Sequence, residues 1–154
     1  MTQGLRGSSA RRHGRCGAPI AVLPLMPVLN TDVVPITEIM TRATVTARAE
    51  ASVESLIGMM TQHHIGCIPI VDDHARPIGI VTKLDLIECR AEVRATAREV
   101  MMPIAMTLPA DATLARGAKL MSTENFHHLL IVDSARTLIG VVSTFDITRW
   151  LAQQ

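Results

Sequence analysis

The sequence predicts an α/β fold: two tandem copies of one strand-and-helix unit, packed together. Three observations predict it. The run Ile68-Pro69-Ile70-Val71-Asp72, a short turn and Ile78-Gly79-Ile80-Val81-Thr82 returns as Leu129-Leu130-Ile131-Val132-Asp133, a turn and Ile139-Gly140-Val141-Val142-Ser143. Asp72 and Asp133, Gly79 and Gly140, Asp85 and Asp146, and Met40 and Met101 all stand 61 residues apart, with no gap in the register. Before the first strand pair, Val53, Leu56, Ile57 and Met60 fall at i, i+3, i+4 and i+7, one stripe of a 3.6-residue helix.

In the same register Thr46, Ala49, Ala51, Met60, Ile70, Val71, Ile78 and Val81 also recur unchanged. Chance would match roughly three positions in such a window, at about 6% per residue. The chain is a tandem duplication. Each copy has about 60 residues, a size at which a lone core is marginal, so the copies are expected to share one.

Residues 1–32 read as a basic, Pro-rich tail, disordered or loosely docked; 33–92 form the first repeat and 93–154 the second. The tail holds Arg6, Arg11, Arg12 and Arg15 with no acid before Asp32, and residues 1–18 have too little apolar surface to order themselves. Its apolar run, 18–29, is interrupted by Pro19, Pro24 and Pro27, and is too short to span a bilayer. No membrane association is expected.

A net charge of +1 argues against a nucleic-acid footprint. Phe126, Phe145 and Trp150 are the only aromatic residues, too few for base-stacking platforms. Cys16, Cys67 and Cys89 are odd in number and lack CxxC spacing, which fits a reducing, cytoplasmic setting without a disulfide framework or thiolate zinc site.

Pro35 to Met40 reads as a short lead-in turn or helix, and Thr44-Val45-Thr46 as a short strand. Ser52 caps the helix that follows, and Gly66 suits a left-handed turn at its end. Strands at 67–71 and 78–82 are apolar at nearly every position, so both faces are expected to be covered. Leu84 to Val100 reads as one long connecting helix, with Arg90, Arg94 and Arg98 as a basic stripe. The second copy repeats the plan: a strand at Met106-Thr107, Thr113 capping a helix with Leu114, Ala118 and Met121 inward, strands at 129–132 and 139–142, and Trp150 in the closing helix.

Thr82-x-x-Asp85 and Ser143-x-x-Asp146 admit two readings. A hydroxyl at a helix start with a carboxylate three residues on is a capping box, satisfying free amides of the first turn. The same pair can serve a ligand, because a carboxylate presents two acceptor oxygens to a vicinal diol and helix amides favour an anion nearby. Duplication does not decide between them, since a duplicated structure duplicates its caps.

These motifs together resemble the CBS domain, a module that occurs in pairs. The helix, the hydrophobic-Pro-hydrophobic-Val-Asp strand, the Gly-hydrophobic-hydrophobic-Thr/Ser strand and the Asp three residues after the hydroxyl carry the resemblance, over about residues 34 to 150. It implies two repeats related by a pseudo-twofold axis, each a small three-stranded sheet flanked by helices. It also implies an adenosine-containing ligand, AMP, ADP, ATP or S-adenosylmethionine, with the Asp accepting from ribose hydroxyls and the Thr or Ser touching phosphate or ribose. No tightly bound cofactor is implied. By the same resemblance Thr46 and the segment from Ile65 to Cys67 face Ser143 and Asp146 in one cleft. Thr107 with Phe126, His127 and His128 faces Thr82 and Asp85 in the other. His127 and His128, set against Gly66 and Cys67, make the cleft of Asp85 the expected phosphate site.

The resulting expectation is a regulatory module that stands alone, dimerises with its own kind and signals its ligand state to a protein partner in trans. Catalysis is not expected, because the sequence has no nucleophile elbow, phosphate loop or paired acid and base. Two alternatives remain: a structural association module with vestigial clefts, and a metal sensor built on His63, His64, Cys67, His127 and His128.

Overall fold

The computed structural model describes residues 30–88, 95–103 and 105–154. The tail therefore lies outside the described residues up to residue 29, as do Arg90, Arg94, Cys16 and Cys89. A 3-10 turn at Ile36–Glu38 leads to helix α1 (Val53–His63), strands β1 (Cys67–Val71) and β2 (Pro77–Thr82), and helix α2 (Lys83–Glu88). The second repeat follows with α3 (Ala97–Val100), β3 (Thr107–Pro109), α4 (Leu114–Glu124), β4 (His128–Val132), β5 (Leu138–Ser143) and α5 (Thr144–Leu151). Among the described residues no helix is long and apolar enough to cross a membrane.

Local chemistry fixes most boundaries. The Ser52 hydroxyl accepts from the Ser55 amide at 3.2 Å, and that of Thr113 from the Arg116 amide at 3.3 Å, opening α1 and α4. Both helices close on a left-handed residue, His64 in one and Asn125 in the other, so the turn assigned to Gly66 falls two residues earlier. Asp72 Oδ1 accepts from the His74 and Arg76 amides, and Asp133 Oδ1 from those of Ala135 and Thr137, which tightens each hairpin. Every residue of β1 is buried, as its unbroken apolar run requires.

Among the described residues the three-stranded sheet is complete only in the second repeat, where β3 lies parallel to β4 and β4 antiparallel to β5. There the Leu130 amide donates to the Met106 carbonyl at 2.9 Å and the Ala110 amide to the Val132 carbonyl at 3.0 Å. In the first repeat Pro69 stands in the place of Leu130 and has no amide to donate. The Val71 carbonyl accepts instead from the Arg48 guanidinium at 3.3 Å. Thr44 to Thr46 consequently form no strand, and Ala47 bridges alone to Ile70.

The helix expected from Leu84 to Val100 is also divided. Thr96 is extended, with φ −93° and ψ 161°, and forms a bridge with Ser52. The Glu99 carboxylate accepts from its amide and its hydroxyl, both at 2.7 Å, so a new helix starts at Ala97. These bonds also hold Glu99 below the usual carboxylate range.

Thr96 lies 61 residues after Pro35, so α3 is the second copy of the 3-10 turn. Each lead-in packs into the other repeat. Ile36 and Met40 are buried with Leu108, Leu114, Met121 and Leu129, whereas Ala97 and Val100 are buried with Val53, Leu56, Ile68 and Val81. The backbone follows the same exchange: Thr41 bridges Val141 and Met102 bridges Ile80, two contacts that interchange when each residue is shifted by one period. This reciprocity is the pseudo-twofold axis. On it lies a third cluster, Cys67, Ile80, Leu130 and Val141, that joins the two sheets.

Glycine permits the closest part of the exchange. A Cβ on Gly140 would lie 2.6 Å from Met40 Sδ and 3.0 Å from the Thr41 carbonyl oxygen; one on Gly79 would meet Met101 Sδ at 2.6 Å and the Met102 carbonyl at 2.9 Å. Gly140→Ala is expected to destabilise the protein by about 1–3 kcal/mol, the range for overpacking a filled core. Adding Met40→Ala should recover part of any shift in urea midpoint caused by the side-chain clash, because the sulfur leaves while the carbonyl stays. An unchanged midpoint in the single variant would show that the contact is not as tight as described.

Candidate functional site

Strand pairing places the chemistry. β4 and β5 run antiparallel with His128 opposite Ser143, and β1 and β2 with Cys67 opposite Thr82. The start of each first strand therefore lies beside the helix start that follows the second. The pseudo-twofold axis then sets the two strand starts side by side: a Cβ on Gly66 would lie 3.9 Å from His128 Nε2.

Between the repeats is a cleft of about 610 Å³, within the size range of small-molecule sites. Its walls come from the first lead-in at Thr41, Thr44 and Val45, from residues 63–67, from His127 and His128, and from the β5–α5 junction at Ser143, Asp146 and Arg149. Ile65, Cys67, His127, His128, Ser143 and Asp146, all singled out in the sequence, thus meet in one place. His127 and His128 line this cleft together with Ser143 and Asp146, because the β4–β5 register sets His128 opposite Ser143.

The other expected positions lie apart. Thr46 lines a separate depression of about 180 Å³ with Arg42 and Leu138. Phe126 faces the groove between α4 and α5, and Thr107 opens β3 with an exposed side chain. Thr82 and Asp85 cap α2. The cleft also contains polar residues that belong to no motif, among them Thr41, Thr44 and Arg149. The signal for Arg149 is its spacing of three from Asp146, which puts both on one helix face.

Both Asp residues are capping groups. Asp146 Oδ2 accepts from the Ser143 amide at 2.8 Å and its hydroxyl at 2.6 Å, while that hydroxyl accepts from the Asp146 amide at 3.2 Å. Asp85 repeats the arrangement with Thr82 at 2.6, 2.7 and 3.3 Å. The cap uses one oxygen. Asp146 Oδ1 lies 3.9 Å from Arg149 Nη1, beyond hydrogen-bond length, and retains acceptor capacity.

Burial disfavours the charged form of two wall groups. The Cys67 thiol is pushed up to about 12, first by desolvation and then by the Asp146 charge. That leaves no thiolate near neutrality to attack or ligate. His128 is held below the usual histidine range, chiefly by desolvation and next by His127, with Asp146 opposing. Among the described residues no group of three or more His, Cys, Asp and Glu side chains is arranged to hold a metal ion.

A family profile described as CBS domain matches residues 36–92 and again 97–153. The CBS domain pair of protein MJ0100, crystallised in complex with 5′-methylthioadenosine and S-adenosyl-L-methionine, superposes with a TM-score of 0.73 at 28% identity, covering 77% of this chain and 96% of that one. The cytosolic domain of the Mg2+ channel MgtE, in complex with ATP, gives 0.68 at 26% identity, covering 75% of this chain and 48% of that one. Among curated proteins, L-aspartate semialdehyde sulfurtransferase of Methanocaldococcus jannaschii is 27% identical over 121 residues, 79% of this chain. The match takes up 24% of the sulfurtransferase, so this chain spans about a quarter of that relative's length.

The lowered affinity of His128 for protons sets a sign for pH dependence. An unfolded histidine takes up a proton near pH 6.5, whereas folded His128 resists it, so the unfolded state binds more protons and stability falls as pH drops below about 6.5. His128→Gln should flatten the decline of the urea midpoint between about pH 7 and about pH 5.5 relative to the parent protein. Parallel declines in the two proteins would contradict the burial of a neutral ring.

Proposed function

The chain belongs to the CBS domain family, and on that premise we propose that it senses an adenosine-containing ligand, AMP, ADP, ATP or S-adenosylmethionine, in the cleft between its repeats. CBS pairs are regulatory ligand-binding modules, and this one carries its signal to a protein partner in trans, as a dimer of identical chains. The observation that carries the reading is the cleft of about 610 Å³ with Asp146 at its wall, one carboxylate oxygen fixed by the cap and the other available to a ribose diol. The complex of the MJ0100 pair with two adenosine compounds supports the choice of ligand class.

The mechanism is differential binding. A ligand seated between Thr41, Thr44 and Ile65 on one side and Ser143 and Asp146 on the other touches both repeats. It shifts their relative angle only to the extent that it binds one arrangement better than the other. Cys67 and His128 supply neutral, half-apolar walls suited to a base.

One competing reading has its own support. The caps at Thr82–Asp85 and Ser143–Asp146 suffice to explain both motifs, and Leu84, Ile87 and Phe145 on α2 and α5 are 59%, 73% and 63% exposed. A module that only associates through those helices would keep its clefts empty.

Thermal unfolding with AMP, ADP, ATP, S-adenosylmethionine and 5′-methylthioadenosine in turn separates the two. A ligand at about 100 times its dissociation constant adds about 2.7 kcal/mol, enough to raise the midpoint by several degrees. Asp146→Ala should abolish the shift at the described cleft after correction for its own loss of cap stability. No shift with any of the five would favour the association module.

A further inference from the structure

We infer that the two clefts of the pair accept ligands of different charge: the cleft of Asp146 selects an adenosine ligand with an anionic 5′ substituent through Arg149, and Glu88 turns such a ligand away from the cleft of Asp85. This rests on the functional reading above and deepens it by naming the ligand charge and the residue that reads it. Arg149 lines the cleft one helical turn beyond Asp146, and its guanidinium lies 4.7 Å from the centre of the Phe145 ring. The ring face steadies the cation without consuming its donors. With its side chain 59% exposed and Nη1 3.9 Å from Asp146 Oδ1, the guanidinium remains open to a group extending from a ribose held at that carboxylate. Arginine suits a phosphate or carboxylate because its planar fork meets either one bidentately.

The positions one period away invert this charge. One period before Arg149 stands Glu88, on an α2 whose Asp85 is capped as Asp146 is, so in the repeat register a carboxylate answers to the guanidinium. One period after His63 stands Glu124 at the end of α4, which replaces a titratable cation with a second acid. Lys83, in the place of Thr144, is the permanent cation facing Asp85, Glu88 and Glu124 at the equivalent positions, where His127 and His128 take the places of Gly66 and Cys67. The cleft of Asp146 pairs one acid with one permanent cation and adds His63, His64 and His127. This charge pattern assigns the anionic ligand to the cleft of Asp146, where the sequence expectation had placed phosphate in the cleft of Asp85.

Calorimetric titration with AMP and with adenosine, its uncharged counterpart, tests this on the full chain. The parent protein should bind a single AMP per chain, about tenfold or more tighter than adenosine, which is the least that one charge-assisted hydrogen bond supplies. Arg149→Glu should erase that preference while changing adenosine affinity by less than about threefold, and Arg149→Lys should keep part of it. Glu88→Arg should add a second AMP site. An AMP-to-adenosine ratio indifferent to Arg149→Glu, or an equal loss of both ligands, would overturn the selector role; no second site in Glu88→Arg would overturn the exclusion. If the parent protein binds neither compound, the functional reading falls first and takes this one with it.

Discussion

The reciprocal exchange of lead-in segments is the constraint on which the rest depends. A unit of about 60 residues buries too little surface to stand alone, and neither repeat here closes its own core. Ile36, fully buried, seals the second repeat, and Ala97 seals the first. A fully buried isoleucine contributes about 1.5–3 kcal/mol of transfer free energy, and the bridges Thr41 to Val141 and Met102 to Ile80 satisfy backbone groups on strand edges that would otherwise lack partners. Neither repeat can leave the other without opening a core. The same exchange builds the cleft, because Thr41 reaches Val141 and brings Thr44 and Val45 to the wall opposite α5. Ligand contact with both repeats is therefore a consequence of how the chain folds.

Elements governed by near neighbours in sequence were legible. The strand pairs, the caps at Ser52 and Thr113 and the turn carboxylates Asp72 and Asp133 depend on residues within a few positions of one another, and each forms where its pattern stands. The long connecting helix was misread because charge spacing from Leu84 to Val100 is helical throughout, while the break at Thr96 is set by a bridge to Ser52, far away in sequence. The missing strand in the first repeat follows from one lost amide at Pro69, whose effect depends on which strand lies beside it. The 61-residue offset itself contained the second lead-in, but an offset identifies equivalent positions, not partners. Crossed and uncrossed packing share one sequence pattern. Hence Ile65, Cys67, His127, His128, Ser143 and Asp146, which the sequence divides between two clefts, all line one.

Comparison of the two copies separates scaffold from site. Several positions that recur unchanged have structural duties: Met40 and Met101 fill the space that Gly140 and Gly79 leave, Asp72 and Asp133 close hairpins, and Asp85 and Asp146 cap helices. Positions facing the cleft have diverged, as Gly66 and Cys67 stand against His127 and His128, and Glu88 against Arg149. Recurrence of the two Asp residues thus says nothing by itself about ligands. The divergence around them does, because a pair of equivalent carboxylates set among different charges cannot bind the same anion equally.

Cap and clamp are compatible for a geometric reason. A carboxylate rotating freely in water would lose side-chain entropy on meeting a ribose. Here Oδ2 is already fixed by an amide and a hydroxyl of Ser143, so Oδ1 is oriented before any ligand arrives. Removing the cap would both fray the helix start, at about 0.5–2 kcal/mol, and release the acceptor. The residue is better suited to ligand binding because it also stabilises the fold, and the same cap on α2 holds Asp85 equally ready. What then distinguishes the clefts is not the carboxylate but the charge one turn beyond it, where a guanidinium would draw an anionic substituent inward and a second carboxylate would repel it.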